Sequence, residues 1–185
     1  WFFACTTTAG AFAEGTYTGN GSPQSPTVGF RPSYVMVKIA NATSATAAIF
    51  NQTESNSNYS GSIDDSANGV NWITSLDSNG FSVGSDARVN ENTKTLYWIA
   101  FGGAANPTAT GTYQMNVGTY TGNGTTQSVS SIGFEPNLVI IKHVDQATDQ
   151  YAVFRTSLMK GDRTHYFANA VTGFTGGITS LDATG

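Results

Sequence analysis

Soft metal ligands are scarce in this 185-residue sequence, which contains one cysteine, Cys5, and two histidines, His143 and His165. A single cysteine cannot form a disulfide within the chain, and a structural zinc site takes about four cysteine or histidine ligands. The acidic residues do not have the dense spacing of oxygen ligands that a calcium-binding loop requires. We therefore predict neither a metal site nor a bound cofactor.

Charged residues are also scarce, at 11% of the sequence, whereas soluble globular proteins contain about 25%. Only eight residues are Lys or Arg, and the net charge is -4. Because nucleic-acid binding requires clustered basic residues that neutralise phosphates, we predict no nucleic-acid partner. Glycine, serine, threonine and asparagine fill many of the remaining positions, which is typical of secreted, fibrous and virion proteins. We therefore predict a location in a virion or on an extracellular surface.

Long hydrophobic runs are missing as well. The longest apolar stretches, residues 34–39 and 138–141, fall far short of the roughly 20 residues that cross a bilayer as a helix. We predict no membrane insertion. The sequence begins at Trp1, without a methionine or a charged leader segment, so we expect it to be part of a longer chain.

An internal repeat organises the sequence. The motif GTYTGNG at residues 15–21 recurs unchanged at residues 118–124, an offset of 103 (118 minus 15). Such long-period self-similarity indicates duplicated structural units. Further matches follow at slightly larger offsets: VGFRP corresponds to IGFEP, YVMVK to LVIIK, and ITSLD recurs as ITSLD. The chain therefore contains two copies of one unit, which we call the first copy and the second copy.

The second copy stops at Gly185, which corresponds to Gly80 of the first, so it lacks counterparts of the last two predicted strands. At the other end, the WFFA of residues 1–4 resembles the YWIA of residues 97–100. We predict four segments: the end of a preceding repeat at 1–11, a β-sandwich repeat at 12–103, a connector at 104–112 and a truncated β-sandwich repeat at 113–185.

The local pattern of the sequence predicts strands. Residues 34–40, 94–101 and 137–143 are short stretches rich in β-branched and aromatic side chains, and a further strand is expected between Gly80 and Gly84. No stretch has the sustained 3.6-residue period of a helix. The Gly-Asn-Gly of the motif suits a tight turn.

We therefore predict an all-β fold of tandem small antiparallel β-sandwiches, with about six strands per repeat and an incomplete second copy. Trp72 and Trp98 are expected to lie in the core. A β-solenoid is the main alternative fold, but it would need a much shorter period than the observed one.

Acidic residues are the first candidates for catalysis. Asp64 and Asp65, together with Asp77, could supply the paired carboxylates of a glycosidase of the polysaccharide-depolymerase type. The first two have no counterpart in the second copy. Asp77 recurs as Asp182, and in both places it precedes a glycine-containing turn, where an Asx turn explains it.

Histidines are the second candidates. His143 and His165, with Asp145 or Asp162, would form a fragment of a catalytic triad, but we expect no strained Gly-x-Ser-x-Gly elbow to present a nucleophile. We predict that the protein is not an enzyme.

The segment at residues 155–166 differs most from the first copy, whose residues 51–62 are rich in Asn and Ser. A solvated loop is the simpler interpretation. However, aromatic rings stack on the apolar faces of sugars, and Arg, Asp and His form hydrogen bonds with sugar hydroxyls. If the protein binds a glycan or another partner, we predict contacts from five residues of this segment: Arg155, Asp162, Arg163, His165 and Tyr166.

The order of motifs in one copy resembles a known group of proteins. It runs Gly-Asn-Gly, Gly-Phe-x-Pro before an apolar strand ending in Lys, Ser-Leu-Asp-x-x-Gly-Phe, Val89-Asn90 and then Tyr-Trp-Ile-Ala at residues 97–100. This order resembles repeat domains of structural proteins of tailed phages, such as tail-fibre and appendage proteins. The resemblance implies tandem β-sandwiches and a place in the virion, and it implies no chemistry.

A weaker resemblance is to the H-type lectins, six-stranded sandwiches whose last strand is similar to Trp-Ile-Ala-Phe at residues 98–101 and follows a Gly-Phe strand like that at Gly80. This resemblance implies trimers that bind sugars near their subunit contacts. No sugar-contacting residue of that family can be matched to a position here.

These observations favour a non-catalytic structural and adhesive component of a virion, as a tail fibre, an appendage or a capsid decoration. The alternative is a cell-surface adhesin or an extracellular filament subunit with lectin-like glycan binding. The expected partners are other copies of the protein or other virion proteins, and a host surface glycan. We expect a homo-oligomer.

Overall fold

The computed structural model describes residues 10–41, 48–52, 59–64, 68–102, 114–143, 150–168 and 172–185. Within these ranges the chain consists of strands and loops, with a single four-residue helix, α1 (Ala87–Asn90). The predicted all-β fold is therefore confirmed. In the same ranges, no helix has the length and apolar character needed to span a membrane.

One large sheet dominates the first copy. Six strands form it in the order β1-β8-β2-β3-β4-β5, and all neighbouring strands are antiparallel. In its described residues the first copy contains these strands and two others: β1 (Phe12–Thr18), β2 (Tyr34–Ile39), β3 (Ile49–Gln52), β4 (Tyr59–Ser62), β5 (Gly69–Val70), β6 (Ile73–Asp77), β7 (Gly80–Val83) and β8 (Thr95–Phe101).

Strand β8 joins the first strand of the copy to the rest of this sheet. It pairs with β1 along its whole length, and its other edge pairs with β2. Alternate residues of β8, including Leu96 and Trp98, are buried, while Tyr97 is 55% exposed. The two-residue alternation of a strand places the first pair on the core side and Tyr97 on the outer side.

Strands β6 and β7 form a separate hairpin that provides the second layer. Backbone bridges from Gln24 to Val83 and from Thr27 to Gly80 attach the loop after β1 to this hairpin. The core lies between the two layers, so the first copy is a small sandwich-like unit. The buried residues of this core are Val35, Val37, Ile39, Ile49, Trp72, Ile73, Phe81, Val83, Val89, Leu96, Trp98 and Ala100.

The strands that the local pattern predicts are present. Residues 34–40 and 94–101 correspond to β2 and β8, and the strand expected between Gly80 and Gly84 is β7. The predicted burial of Trp72 and Trp98 is also confirmed, with 5% and 7% exposure.

The GTYTGNG motif is half strand and half turn. Its first four residues belong to β1, and Gly19, Asn20 and Gly21 then leave the sheet. This turn does not close a hairpin, because β1 pairs with the distant β8 rather than with the strand that follows it in the chain. Gly21 has a φ of 70° and Asn20 closes an Asx turn onto the amide of Ser22, so the turn character itself is confirmed.

The described residues of the second copy form three strands, β9 (Leu138–Ile141), β10 (Val153–Thr156) and β11 (His165–Tyr166), in the order β11-β10-β9. The strand predicted at residues 137–143 corresponds to β9. Strands β9, β10 and β11 pair in the same register as β2, β3 and β4, displaced by 104 residues (138 minus 34). The pair Tyr34–Gln52 of the first copy corresponds to the pair Leu138–Thr156 of the second. Likewise, the pair Ile49–Ser62 corresponds to the pair Val153–Tyr166.

An exchanged pair of residues strengthens this equivalence. In the first copy, a Cβ on Gly69 would lie 2.4 Å from the ring of Trp72, so the ring covers the glycine. In the second copy, 105 residues further on (174 minus 69), Phe174 takes the place of Gly69 and Gly177 that of Trp72. A Cβ on Gly177 would lie 2.8 Å from the Phe174 ring. Both copies therefore contain one aromatic ring packed on one glycine, with the two positions reversed.

The two copies contact each other near the end of β4. The amide of Ala152, just before β10, donates to the carbonyl of Ile63 over 3.0 Å. The Nζ atom of Lys142 donates to the carbonyl of Asp64 over 2.7 Å. Ala152 is fully buried. The residues that follow β4 thus form part of the junction with the second copy.

The predicted connector at 104–112 lies outside the described residues, as do residues 1–9 of the predicted end of a preceding repeat at 1–11. The limits of the two repeats, 12–103 and 113–185, stay predictions.

Candidate functional site

Arg155 lies in β10, and the residue is only 8% exposed. Its Nη1 donates to the carbonyl of Arg163 over 2.8 Å and its Nη2 to the carbonyl of Gly161 over 2.6 Å. The corresponding residue of the first copy, Asn51, is also buried and donates to the carbonyl of Ile73. In both copies this position supplies a buried donor for backbone oxygens. The longer arginine reaches the loop between β10 and β11 and holds its shape.

Asp162, in the same loop, connects it to the segment that follows residue 171. Its Oδ2 atom accepts a hydrogen bond from the amide of Gly176 over 2.9 Å. Its Oδ1 atom is buried and has no hydrogen-bond partner among the described residues. A buried carboxylate oxygen without a donor costs stability, which makes Asp162 the least satisfied polar group of this region.

Three aromatic side chains meet beside this loop, and we call Tyr151, Tyr166 and Phe174 the aromatic cluster. The rings of Tyr166 and Phe174 are stacked with centroids 4.7 Å apart, and Tyr151 meets Tyr166 edge to face at 6.2 Å. All three are partly exposed. The backbone of Phe174 is fixed by two hydrogen bonds of 2.9 Å with Thr164. The cluster is therefore a supported, partly accessible aromatic surface.

His165 lies on the opposite face of β11 from Tyr166, because neighbouring residues of a strand point to opposite sides. It pairs with Phe154, whose ring centroid is 6.0 Å away, and Gly173 packs against its imidazole. Arg163 is exposed. The five predicted contact residues thus do not form one constellation: Arg155 and Tyr166 share one face, and His165 faces the other. Their contact with a glycan stays a prediction.

Tyr151 and Phe174 belong to the same surface, although the sequence reasoning did not select them. Phe174 lies outside the segment that was singled out, and Tyr151 precedes it. One signal could have identified Phe174, since an aromatic residue replaces Gly69 of the first copy at that position. The pairing of β10 with β11, which brings Tyr151 to Tyr166, is visible only in three dimensions.

The acids considered for catalysis have structural partners. Both carboxylate oxygens of Asp77 accept hydrogen bonds from hydroxyls of the β6–β7 hairpin, from Ser75 over 2.8 Å and from Ser82 over 2.7 Å. Asp64 accepts from Ser62 over 2.6 Å. Asp65 and Asp145 lie outside the described residues. In the part of the chain that the structure describes, no three His, Cys, Asp or Glu residues gather in a way that could hold a metal ion.

The sequence contains one Gly-x-Ser-x-Gly pattern, at residues 80–84. Ser82 lies within β7, paired with Ser75 of β6, rather than on a sharp turn between a strand and a helix. Its hydroxyl is bonded to Asp77 and lies 2.8 Å from that of Ser25. The pattern therefore lacks the geometry that exposes a nucleophile.

The comparisons with known proteins give one finding. Neither the comparison with curated proteins nor that with solved structures yields a match. The family described as "Domain of unknown function (DUF7483)" matches residues 3–107, which is more than half of the chain and includes every strand of the first copy. The chain therefore belongs to the DUF7483 family.

Proposed function

We propose that this protein is a non-catalytic structural and adhesive component of a virion, as part of a tail fibre, an appendage or a capsid decoration. The observation that carries the proposal is the repeated register, in which β9, β10 and β11 pair as β2, β3 and β4 do. Tandem copies of one unit supply length and multiple display of a surface without a catalytic centre. The low content of charged residues is in keeping with a virion surface.

Assembly follows from the same proposal. The partners are other copies of the protein or other virion proteins, and the assembled form is a homo-oligomer. Light scattering coupled to size-exclusion chromatography measures this directly, and a monomer at all concentrations would contradict the homo-oligomer.

Immunogold electron microscopy tests the location. An antibody against the 185-residue chain should label the appendages or the shell of phage particles prepared from the source culture. Labelling of cell-surface filaments, with no labelling of phage particles, would contradict the virion component and favour the alternative, a cell-surface adhesin. Gold on neither would reject both.

Glycan binding is the second candidate function, and the aromatic cluster favours it. Stacked and partly exposed Tyr166 and Phe174 offer an apolar platform, and the hydroxyls of Tyr151 and Tyr166 add polar groups beside it. A glycan array probed with the parent chain and with the R163A/H165A/Y166A variant tests this function. Loss of signal in the variant supports it, provided that Tyr120→Ala, which removes a 48% exposed tyrosine outside the cluster, retains the signal. Equal signal from the parent and the triple variant would show that Arg163, His165 and Tyr166 do not contact the glycan.

The non-catalytic part of the proposal has its own measurement. Incubation of the chain with host capsular polysaccharide, followed by mass spectrometry, should yield no oligosaccharides. The appearance of oligosaccharides would show a depolymerase and end the proposal.

A further inference from the structure

The GTYTGNG motif of the first copy is covered by one segment of the same copy. The hydroxyl of Tyr17 donates to the carbonyl of Val89, and the amide of Gly21 donates to the carbonyl of Asn90 over 3.0 Å. Gly19 exchanges backbone hydrogen bonds of 2.8 Å with Lys94 and Thr93. The motif therefore lies against α1 and the residues that lead into β8.

Two glycines of this motif are required by those contacts. A Cβ on Gly15 would lie 2.6 Å from the ring of Trp98, and one on Gly19 would lie 2.1 Å from the carbonyl oxygen of Glu91. Any other residue would push the covering segment away. In the first copy the glycines are thus explained by what covers them.

The same two glycines recur in the second copy, as Gly118 and Gly122, without any such neighbour. Apart from the glycine itself and its two chain neighbours, no atom of the described residues lies within 4 Å of a Cβ placed on either. Tyr120, the counterpart of Tyr17, is 48% exposed. Nothing within the described second copy explains why these positions are glycine.

The second motif nevertheless has the local shape of the covered one. The Oδ1 atom of Asn123 accepts from the amide of Thr125 over 2.9 Å, as that of Asn20 does from Ser22 over 2.8 Å. The side chain of Gln127 donates to the carbonyl of Thr121 over 3.2 Å, and the first copy has the equivalent bond. Binding to a surface that already has its bound conformation loses less entropy.

The neighbouring strand is also open. In the described ranges, β9 pairs only with β10, whereas its counterpart β2 pairs with β8 on its other edge. Val139 and Ile141 are partly exposed, while their counterparts Val35 and Val37 are completely buried. An open strand edge with apolar residues beside it is a template for another strand.

We propose that the open edge of β9 and the exposed motif at residues 118–124 form a docking site for a segment of the sequence type of residues 85–101. That segment, SDARVNENTKTLYWIAF, supplies α1 and β8 in the first copy. A docked segment adds its strand to β9 in the register that β8 has with β2, and sets its Trp against Gly118 and its Glu carbonyl against Gly122. This inference is independent of the proposed function.

The probe is a synthetic peptide of residues 85–101 with a fluorescent label at its N-terminus, titrated with the 185-residue chain and followed by anisotropy. We expect saturable binding. A peptide of the same composition in scrambled order should not bind. Absence of saturable binding, or equal binding of the scrambled peptide, would overturn the proposal.

Two variants of the chain make the test specific. Gly122→Ala and Gly118→Ala each add a methyl group into open space, so thermal unfolding should be unchanged. Each should weaken peptide binding by about tenfold or more, because the methyl group occupies the place of the docked segment. Thr119→Ala is the matched control, since its counterpart Thr16 is exposed in the first copy. Binding of the peptide to Gly122→Ala and Gly118→Ala with parental affinity would also overturn the proposal.

Discussion

The hydroxyl of Ser60 accepts a hydrogen bond from the amide of Ile73 over 3.0 Å and donates one to the carbonyl of the same residue over 2.9 Å. Both residues are completely buried. In the second copy Thr164 makes the same two contacts with Ile178, over 2.7 Å and 3.3 Å. One hydroxyl thus forms hydrogen bonds with both the amide and the carbonyl of a single distant residue. This arrangement occurs in both copies.

Ser60→Ala should destabilise the first copy by about 1 to 3 kcal/mol, because the buried amide of Ile73 loses its acceptor. Ser60→Thr, which places the residue of the second copy at this position, retains the hydroxyl and should cost less. Urea unfolding followed by tryptophan fluorescence measures both. A loss below about 0.5 kcal/mol for Ser60→Ala would contradict the assigned role.

Asn90 is a second buried polar residue with a measurable role. Its Oδ1 atom accepts from the amide of Asn20 over 2.9 Å and from the Nε2 atom of Gln24 over 2.7 Å, and its Nδ2 atom donates to the carbonyls of Ser22 and Gly84. Asn90→Leu has a similar volume and should lower the free energy of unfolding by about 2 to 4 kcal/mol.

The same variant should release the motif of the first copy. Hydrogen exchange of the amides at residues 20–24 should become faster in Asn90→Leu, while exchange in β2 should change little. Asn92→Ala, which removes an exposed amide side chain, is the control and should alter neither quantity. Unchanged exchange at residues 20–24 in Asn90→Leu would show that other contacts hold this loop.

The aromatic ring and the glycine occupy exchanged positions in the two copies. We therefore predict that the effects of substitutions at residues 69 and 72 on stability are coupled. Gly69→Phe should be destabilising because its Cβ would lie 2.4 Å from the Trp72 ring. Trp72→Gly should cost about 3 to 5 kcal/mol through the cavity that it leaves. The double variant G69F/W72G reproduces the arrangement of Phe174 and Gly177, so its loss should be smaller than the sum of the single losses by about 1 kcal/mol or more. Additive losses, measured by the same urea unfolding, would contradict this equivalence.

Stability should decrease in alkaline solution. Burial raises the pKa of Tyr17 and of Tyr34 well above the usual value for tyrosine. In the unfolded chain both hydroxyls ionise near pH 10, so above that pH the unfolded state binds fewer protons than the folded state. The free energy of unfolding should therefore be insensitive to these groups below about pH 9. It should fall above about pH 10, by up to roughly 1.4 kcal/mol per pH unit for each tyrosine.

Urea midpoints measured between about pH 8 and pH 11 test this expectation. Tyr17→Phe and Tyr34→Phe should each reduce the alkaline slope. Tyr120→Phe is the control, because Tyr120 is 48% exposed. A slope that is the same in all three variants would assign the alkaline loss to other groups.

Local composition predicts the strands that consist mainly of apolar residues. Strands β2, β8 and β9 are short runs of β-branched and aromatic residues, and each lies within a segment that the sequence predicts. Strand β1 was missed because its sequence, FAEGTYT, contains a glutamate and a glycine and becomes a strand only through its pairing with β8. The four-residue helix α1 is too short to show a period.

The candidate site was harder to predict for a geometric reason. The sequence brought Arg155, His165 and Tyr166 into one segment, but the face on which each lies depends on the register of β10 with β11. Arg155 was chosen for its charge, and the structure shows its guanidinium bonded to loop carbonyls. A linear pattern cannot show which donors are already used within the fold.

The shared register of the two copies also has a genetic consequence. A crossover between the coding regions for β2 to β4 and for β9 to β11, at equivalent positions, yields a hybrid in which the strand pairs shared by the two copies keep their register. Loops such as residues 157–163 are then exchanged or lengthened as cassettes, because their ends are held by strands that do not change. Duplication and reshuffling can therefore diversify the surface of such a chain while its ladder of hydrogen bonds stays intact.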